Sequence, residues 1–277
     1  MCERIPAPIL THISTMPATY THHLITREAY AALPHTLQNK IHNLPLYFFG
    51  AQGADFCFFY RSLNPKAKNL GSYLHREGGF PAFCVLKSLA ARDPQILSYA
   101  LGYVTHYAAD STFHPYVYAT TGNSPLRHSR LENILDIRFK RQAEPSEYDR
   151  FFHGKLSEQE KDELFFIYTA IALRCAFPAP KKPAFLRSIA LFNAYMPIPN
   201  SLFDGSNAQV RAFAANEEKR TWAYPAAPKI TSCENADELL EKAITLSVTL
   251  MESFLSAVKT NAALDRALFG KGFLTGI

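Results

Sequence analysis

Four histidines and three carboxylates of this chain fall at spacings that gather metal ligands. The run Tyr103-Val104-Thr105-His106-Tyr107-Ala108-Ala109-Asp110-Ser111-Thr112-Phe113-His114-Pro115 sets His106, Asp110 and His114 four residues apart. Each helical residue turns the chain by about 100°, so a step of four advances only about 40° around the axis. The three side chains therefore leave the helix from nearly one face. His128 and Glu132 repeat the step, and Asp55 and His75 add candidates upstream. Imidazole with carboxylate is the donor set that zinc takes when no thiolate is offered. The chemistry this pattern points to is a multinuclear zinc site.

A single His-x-x-x-Asp step would carry little weight, because a bonded core histidine or an exposed i,i+4 pair explains it equally well. The three-member series is different. It buries two imidazoles and a carboxylate on a helix that is otherwise apolar. Unpaired, those groups would cost several kcal/mol. A bound dication compensates them.

The elements that must hold these residues read as helices. Asp93-Pro94 is a helix start, with Asp93 as cap and Pro94 in the first turn. The helix that follows, roughly 94–113, carries Ile96, Leu97, Ala100, Leu101 and Val104 before the ligand series. Pro115 disfavours helical geometry at His114, so the helix is expected to end there. Ser124-Pro125 repeats the start signal for a helix over roughly 125–142, with His128 and Glu132 in its first two turns. Ser157 and Glu160 form a capping box that opens the apolar stretch Leu164 to Phe177. A last long helix is expected over about 234–259, with Leu239, Leu240, Ala243, Leu246, Leu250, Phe254 and Val258 at helical spacing. Earlier helices are expected at 23–33, 66–77 and 81–92. Proline-containing connectors fall at Phe177–Pro183, Pro197–Ser206 and Tyr224–Ser232. Little of the chain alternates with period two. The fold class expected is all-α, a single multi-helix domain over 1–277 with its metal site within 20–135. The charged stretch 141–162 reads as a mobile excursion.

Composition bounds the function. Of the 277 residues, 48% are apolar and 19% charged, which excludes a disordered chain. The net charge of +5 is spread along the sequence without a basic run, so nothing argues for specific nucleic-acid binding. The five cysteines, Cys2, Cys57, Cys84, Cys175 and Cys233, form no C-x-x-C pair. An odd count without that spacing argues against a disulfide framework and a thiolate zinc site. Reduced, mostly buried thiols in a cytoplasmic protein are expected. The first residues, Met-Cys-Glu-Arg-Ile-Pro, lack the apolar core of a signal peptide. No apolar run reaches the length of a membrane span.

Over roughly residues 20–135 the sequence resembles the zinc-dependent phospholipase C family of bacteria. Thr21-His22-His23-Leu24-Ile25 is similar to the opening Thr-His segment of that family. Gly50-Ala51-Gln52-Gly53-Ala54-Asp55 is similar to its glycine-rich turn ending in aspartate, with Ala54 where proline is common. Leu70-Gly71-Ser72-Tyr73-Leu74-His75 is similar to the next histidine segment. The likeness resumes at Ala100-Leu101-Gly102-Tyr103-Val104-Thr105-His106 and runs through Asp110 and His114 to His128 and Glu132. The step from Asp110 to His114 is shorter than in secreted members. The resemblance implies that Asp55, His75, His106 and Asp110 hold one zinc. It implies that His114, His128 and Glu132 hold a second with an open position, and that His22 with a bridging Asp110 holds a third. In secreted members the free N-terminal residue completes that third site, whereas here about twenty residues precede His22. His23 is the rival to His22 and reads as a surface histidine. His12, His35, His42 and His153 match no ligand spacing and read as solvated or locally bonded. Phe56, Phe58 and Phe59 read as aromatic core, with a headgroup pocket as the alternative.

The activity implied is hydrolysis of a phosphodiester, a glycerophospholipid above all, with two to three zinc ions and Asp55 orienting the attacking water as base. Peripheral contact with a membrane fits such a substrate. Two rivals stand beside it. Fungal single-strand nucleases use a similar zinc arrangement, but a nuclease calls for aromatic stacking platforms beside a basic groove, and no such cluster is visible. The other rival is a non-catalytic helical protein stabilised by its metal.

Overall fold

The computed structural model describes residues 19–60, 69–77, 79–152, 155–195, 207–218 and 220–277. The chain order is α1 (Thr19–Ala32), α2 (His35–Gln38), α3 (Leu44–Gly50), a 3-10 turn (Asp55–Phe59), α4 (Leu70–Leu74), α5 (Gly79–Ala90), α6 (Pro94–Thr121) and α7 (Pro125–Gln142). A second 3-10 turn (Glu147–Phe151) leads to α8 (Glu158–Arg174), α9 (Lys182–Tyr195) and α10 (Asn207–Glu217). Strands β1 (Trp222–Tyr224) and β2 (Ala227–Ser232) form an antiparallel hairpin, followed by α11 (Ala236–Thr260) and α12 (Arg266–Phe269). Among the described residues the protein is all-α apart from that hairpin.

Helix α6 is the axis of the fold. It is buried from Ile96 to Val117, as an apolar helix without a solvated face must be. Around it pack α1, α3, α5, α7, α11 and the hairpin. The crossing of α3 over α6 depends on two glycines. A Cβ on Gly102 would stand 1.9 Å from the Tyr47 carbonyl oxygen, and one on Gly50 would stand 2.5 Å from that of Tyr99. The main chains therefore touch at the point where α6 begins to present its ligand series.

The helix starts follow the sequence signals. Asp93 Oδ1 accepts from the amides of Gln95 at 2.7 Å and Ile96 at 3.4 Å, with Pro94 in the first turn. Ser124 accepts from Arg127 N at the head of α7. Ser157 and Glu160 close a reciprocal capping box on α8. Tyr148, Phe151 and Phe152, within the charged stretch 141–162, pack against the aromatic core.

Several expectations need correction. Helix α6 does not stop at His114: it runs through Pro115 to Thr121. Proline withholds one amide from the ladder and crowds the preceding turn, yet burial of Tyr116 against Trp222 and of Val117 holds the next turn in register. Gly276, at φ +68, lies over the place where the ladder is interrupted, and a Cβ there would stand 2.4 Å from the Ser111 carbonyl oxygen. The helix expected over 66–77 is the short α4, with 61–68 outside the described residues. The Tyr224–Ser232 connector is mostly β2, whose residues are exposed or half-buried and so lack the alternation that marks a half-buried strand. The connector Pro197–Ser206 lies outside the described residues. Of the cysteines described, only Cys57 is buried; Cys84 and Cys175 are half-buried and Cys233 is exposed, all four free.

Candidate metal centre

Five segments bring the site together. Helix α1 supplies His22, the first 3-10 turn Asp55, the end of α4 His75, α6 the series His106, Asp110 and His114, and α7 His128 and Glu132. All eight are buried. The start of α1 is fixed from α7: Asp136 accepts from the amides of Tyr20 at 3.0 Å and Thr21 at 2.7 Å and from the Thr21 hydroxyl at 2.8 Å. Those amides are unpaired by the helix itself and attract a carboxylate. Burial raises the Asp136 carboxyl to about 6, against the pull of these bonds.

The donor atoms converge. His75 Nε2 lies 3.1 Å from Asp55 Oδ1, 3.4 Å from Asp110 Oδ2 and 3.3 Å from His106 Nε2. His106 Nε2 lies 3.4 Å from Asp110 Oδ2 and 4.0 Å from Asp55 Oδ1. Ligands about 2.0–2.2 Å from a tetrahedral zinc are about 3.3–3.6 Å apart, so His75 Nε2, His106 Nε2 and Asp110 Oδ2 have the spacing of a coordination shell, with Asp55 Oδ1 at its edge beside His75. The other oxygen of Asp110 faces His22 Nε2 at 3.3 Å and His114 Nδ1 at 3.8 Å. One carboxylate thus looks into two neighbouring sites. On the far side, Glu132 Oε1 stands 2.6 Å from His128 Nε2 and 3.8 Å from His114 Nε2.

Within these clusters, many of the close approaches are not hydrogen bonds. Both oxygens of Asp55, Asp110 Oδ2, Glu132 Oε2 and His128 Nε2 are buried without a hydrogen-bond partner among the described residues. Atoms that lie near one another yet fail hydrogen-bond geometry keep their lone pairs available to a shared ion. Leaving so many buried carboxylate oxygens unpaired is costly, and cations at those points would pair them. Three groups have ligand atoms within 4.8 Å of one another: His75, His106 and Asp110; His114, His128 and Glu132; and His22, Asp55 and His106. The first group holds three of the four residues expected at one site, without Asp55, and the second holds the three expected at another. The third shows that Asp55 and His106 stand beside His22 as well as beside His75.

The electrostatics suit a cluster that binds cations. Burial depresses His114 and His128 to about 4, so both are neutral donors near pH 7. Burial also pushes His106 well down. His75 goes the other way: burial opposes its charge, but the Asp110 and Asp55 carboxylates raise it to about 10. Burial raises Asp55 and pushes Glu132 well above the carboxylate range. For Asp110 burial is outweighed by the His106 and His114 imidazoles, which hold it well down.

Two supports were invisible in the sequence. Gly53, at φ +50, lies against the His106 ring, and its carbonyl accepts from the Tyr168 hydroxyl at 2.7 Å and the Tyr99 hydroxyl at 3.2 Å. Main-chain carbonyls also hold two imidazoles: Gly71 O meets His75 Nδ1 at 2.8 Å and Phe273 O meets His114 Nδ1 at 3.0 Å. His23 is not the surface residue expected. It is buried between Phe48 and Phe152, with Nε2 3.4 Å from Asp149 Oδ1, and it belongs to no ligand group. His35 and His42 are exposed, while His12 and His153 lie outside the described residues. Phe56 is core against Phe49, Tyr168 and Phe185, and Phe59 packs on Phe192; Phe58 lies against the His75 ring at 5.1 Å. A cavity between α1, α6 and α7 adjoins the centre, with Phe113, Val117 and Leu135 as apolar walls and His22, Asp110 and Glu132 as its polar side.

Fold and site together define a helical protein built around a buried histidine–carboxylate cluster able to hold metal ions. The sequence pattern of the zinc-dependent phospholipase C family matches residues 21–176, more than half of the chain, and the chain belongs to that family. All eight clustered residues fall inside the matched span. No curated protein and no solved structure matches the chain. Among the described residues no helix is long and apolar enough to cross a membrane.

Proposed function

We propose that this protein is a zinc-dependent phosphodiesterase that cleaves glycerophospholipids to diacylglycerol and a phosphorylated headgroup, using two to three zinc ions. The observation that carries the reading is the convergence of His75 Nε2, His106 Nε2 and Asp110 Oδ2, with Asp55 Oδ1 3.1 Å from His75 Nε2 and with both Asp55 oxygens and Asp110 Oδ2 lacking a hydrogen-bond partner among the described residues. Asp55, His75, His106 and Asp110 would hold one ion. His114, His128 and Glu132 would hold a second, and His22 with the other oxygen of Asp110 a third. When bound, the ions polarise the phosphodiester, offset its developing charge and make water more acidic.

The side chains do the rest. Asp55 sits on a short 3-10 turn, where packing of Phe56 and Cys57 fixes its direction. It orients the attacking water and accepts its proton. As the water oxygen bonds to phosphorus, the bond from phosphorus to the glycerol oxygen breaks, and that oxygen takes up the proton that Asp55 accepted from the water, which returns Asp55 to its carboxylate form. Phe58, Phe113 and Val117 keep bulk water away. A cytoplasmic setting, supported by four described cysteines that are free, and peripheral contact at a lipid surface complete the proposal.

The decisive experiment is elemental analysis of protein purified without chelator, followed by assay on phosphatidylcholine vesicles, a bis-aryl phosphate and single-stranded DNA. Two to three zinc ions per chain and release of diacylglycerol are expected. Well under one transition metal per chain after zinc reconstitution would overturn the reading. Zinc uptake with hydrolysis of DNA alone would move it to a nuclease. Zinc uptake with no hydrolysis of any of the three would leave a metal-stabilised scaffold.

A further inference from the structure

Ligating histidines work best when the second ring nitrogen is held by an acceptor, which fixes the tautomer and the ring direction. Of the five clustered imidazoles, the Nδ1 atoms of His22, His106 and His128 have no such partner among the described residues. His75 finds its acceptor in the adjacent turn of its own helix. His114 finds its acceptor 159 residues away, in the Phe273 carbonyl at 3.0 Å. Phe273 lies far outside the span 21–176 that the family pattern covers.

The segment 270–277 is built onto the site rather than merely near it. Lys271 N donates to the Tyr107 hydroxyl at 3.0 Å, and that hydroxyl donates to Leu268 O at 2.9 Å. Gly272 N closes onto Ile277 O at 3.1 Å, and Gly276 seats the turn on α6 at Ser111 and Pro115. The Phe273 ring, fully buried, lies 5.4 Å from the His75 ring and 5.9 Å from that of His106. Gly79 makes room for it, since a Cβ there would stand 2.7 Å from Phe273 Cε2.

We propose that this segment is a positioning element of the metal centre: the Phe273 carbonyl takes the Nδ1 proton of His114 and so presents His114 Nε2, with its lone pair, to the ion shared with His128 and Glu132. The inference rests on the metal reading above. Without the carbonyl, His114 Nδ1 faces Asp110 Oδ1 at 3.8 Å, and the ring is free to turn its other nitrogen away from Glu132.

The test is metal binding, not turnover. Metal-free protein is titrated with Zn(II) against a competing chelator, and with Co(II) while its visible absorption is followed. Deleting residues 272–277 should weaken the metal equivalent that includes His114 by about 10–100-fold and change its Co(II) spectrum, a larger effect than on the equivalent of His75 and His106, whose rings the Phe273 side chain also touches. Gly276→Ala, which lifts the segment off Ser111 without removing it, should act in the same direction and less strongly. In a His114→Ala background the deletion should have no further effect on that equivalent. Circular dichroism checks folding, and if the deletion fails to fold, Gly276→Ala decides. Parent-like affinity for every equivalent in all folded variants would overturn the inference, as would an equal loss with and without His114. Parent protein that takes up no metal would overturn the metal reading as well.

Discussion

Gly53 and His106 are in contact so closely that a single methyl group would not fit between them: a Cβ on Gly53 would stand 1.9 Å from His106 Cδ2. The main chain at Gly53 is also in the left-handed region, at φ +50, which costs a residue with a side chain about 1 kcal/mol or more. Gly53→Ala therefore meets two penalties, backbone strain and an overpacked core worth about 1–3 kcal/mol. We expect a stability loss of about 2–4 kcal/mol and a weaker site at His106. Chemical denaturation and zinc titration of the variant check this. Parent-like stability together with parent-like zinc affinity would show that the turn gives way without cost.

What the sequence made legible is what repeats locally. Asp93-Pro94, Ser124-Pro125 and Ser157 with Glu160 mark helix starts because capping acts within four residues. His106, Asp110 and His114 read as one face because the helix itself sets their spacing. The remainder depends on partners distant in the chain. Pro115 signalled a helix end, but packing of Tyr116 and Val117 on the hairpin and α7 overrides it. His23 looked like a surface residue because nothing in its neighbourhood tells of Phe152. The contacts of Gly53 with His106 and of Phe273 with His114 involve a backbone conformation and a carbonyl, and neither leaves a side-chain signature in the sequence.

Removing zinc should destabilise the fold. Binding to the native state alone stabilises it by mass action, about 4 kcal/mol when free metal is a thousand times Kd. Without cations Asp55 and Asp110 share one buried cluster with few donors. Excess chelator should lower the melting temperature by several degrees. An unchanged melting temperature, with metal loss confirmed by elemental analysis, would count against a buried multinuclear site.

That difference should grow with pH. His75 is raised from its unfolded value near 6.5 to about 10 in the metal-free fold by the Asp110 and Asp55 carboxylates, against burial. Its contribution to stability is complete below about 6.5 and is lost as pH rises through 10. Burial raises Glu132 too, and a raised carboxyl loses stability in the same direction. His114 and His128, held down to about 4 by burial, contribute fully above 6.5 and do not change across this window. Chelated protein should therefore melt at progressively lower temperature from pH 7 to pH 10. Zinc-loaded protein should change less, because the ion replaces the proton on His75. Parallel curves for the two forms would contradict this.

Asp55→Asn separates chemistry from architecture. The asparagine keeps the volume at a fully buried position on the 3-10 turn, so the change to folding should be small beside the change to rate. Neutral amide oxygen cannot accept the proton of the attacking water, and general-base assistance is typically worth about 10²–10⁴-fold. A fall of that size in kcat on phosphatidylcholine is expected. Asp55 Oδ1 also faces His75 Nε2 at 3.1 Å, so part of the loss could come from a departed ion. Zinc content measured on the same sample resolves this: full zinc with a slow rate assigns Asp55 to proton transfer, and lost zinc assigns it to ligation. Near-parent turnover with full zinc would remove Asp55 from the chemistry and leave the base to be sought at Glu132, the other carboxylate of the cluster with an unpaired oxygen beyond Asp110.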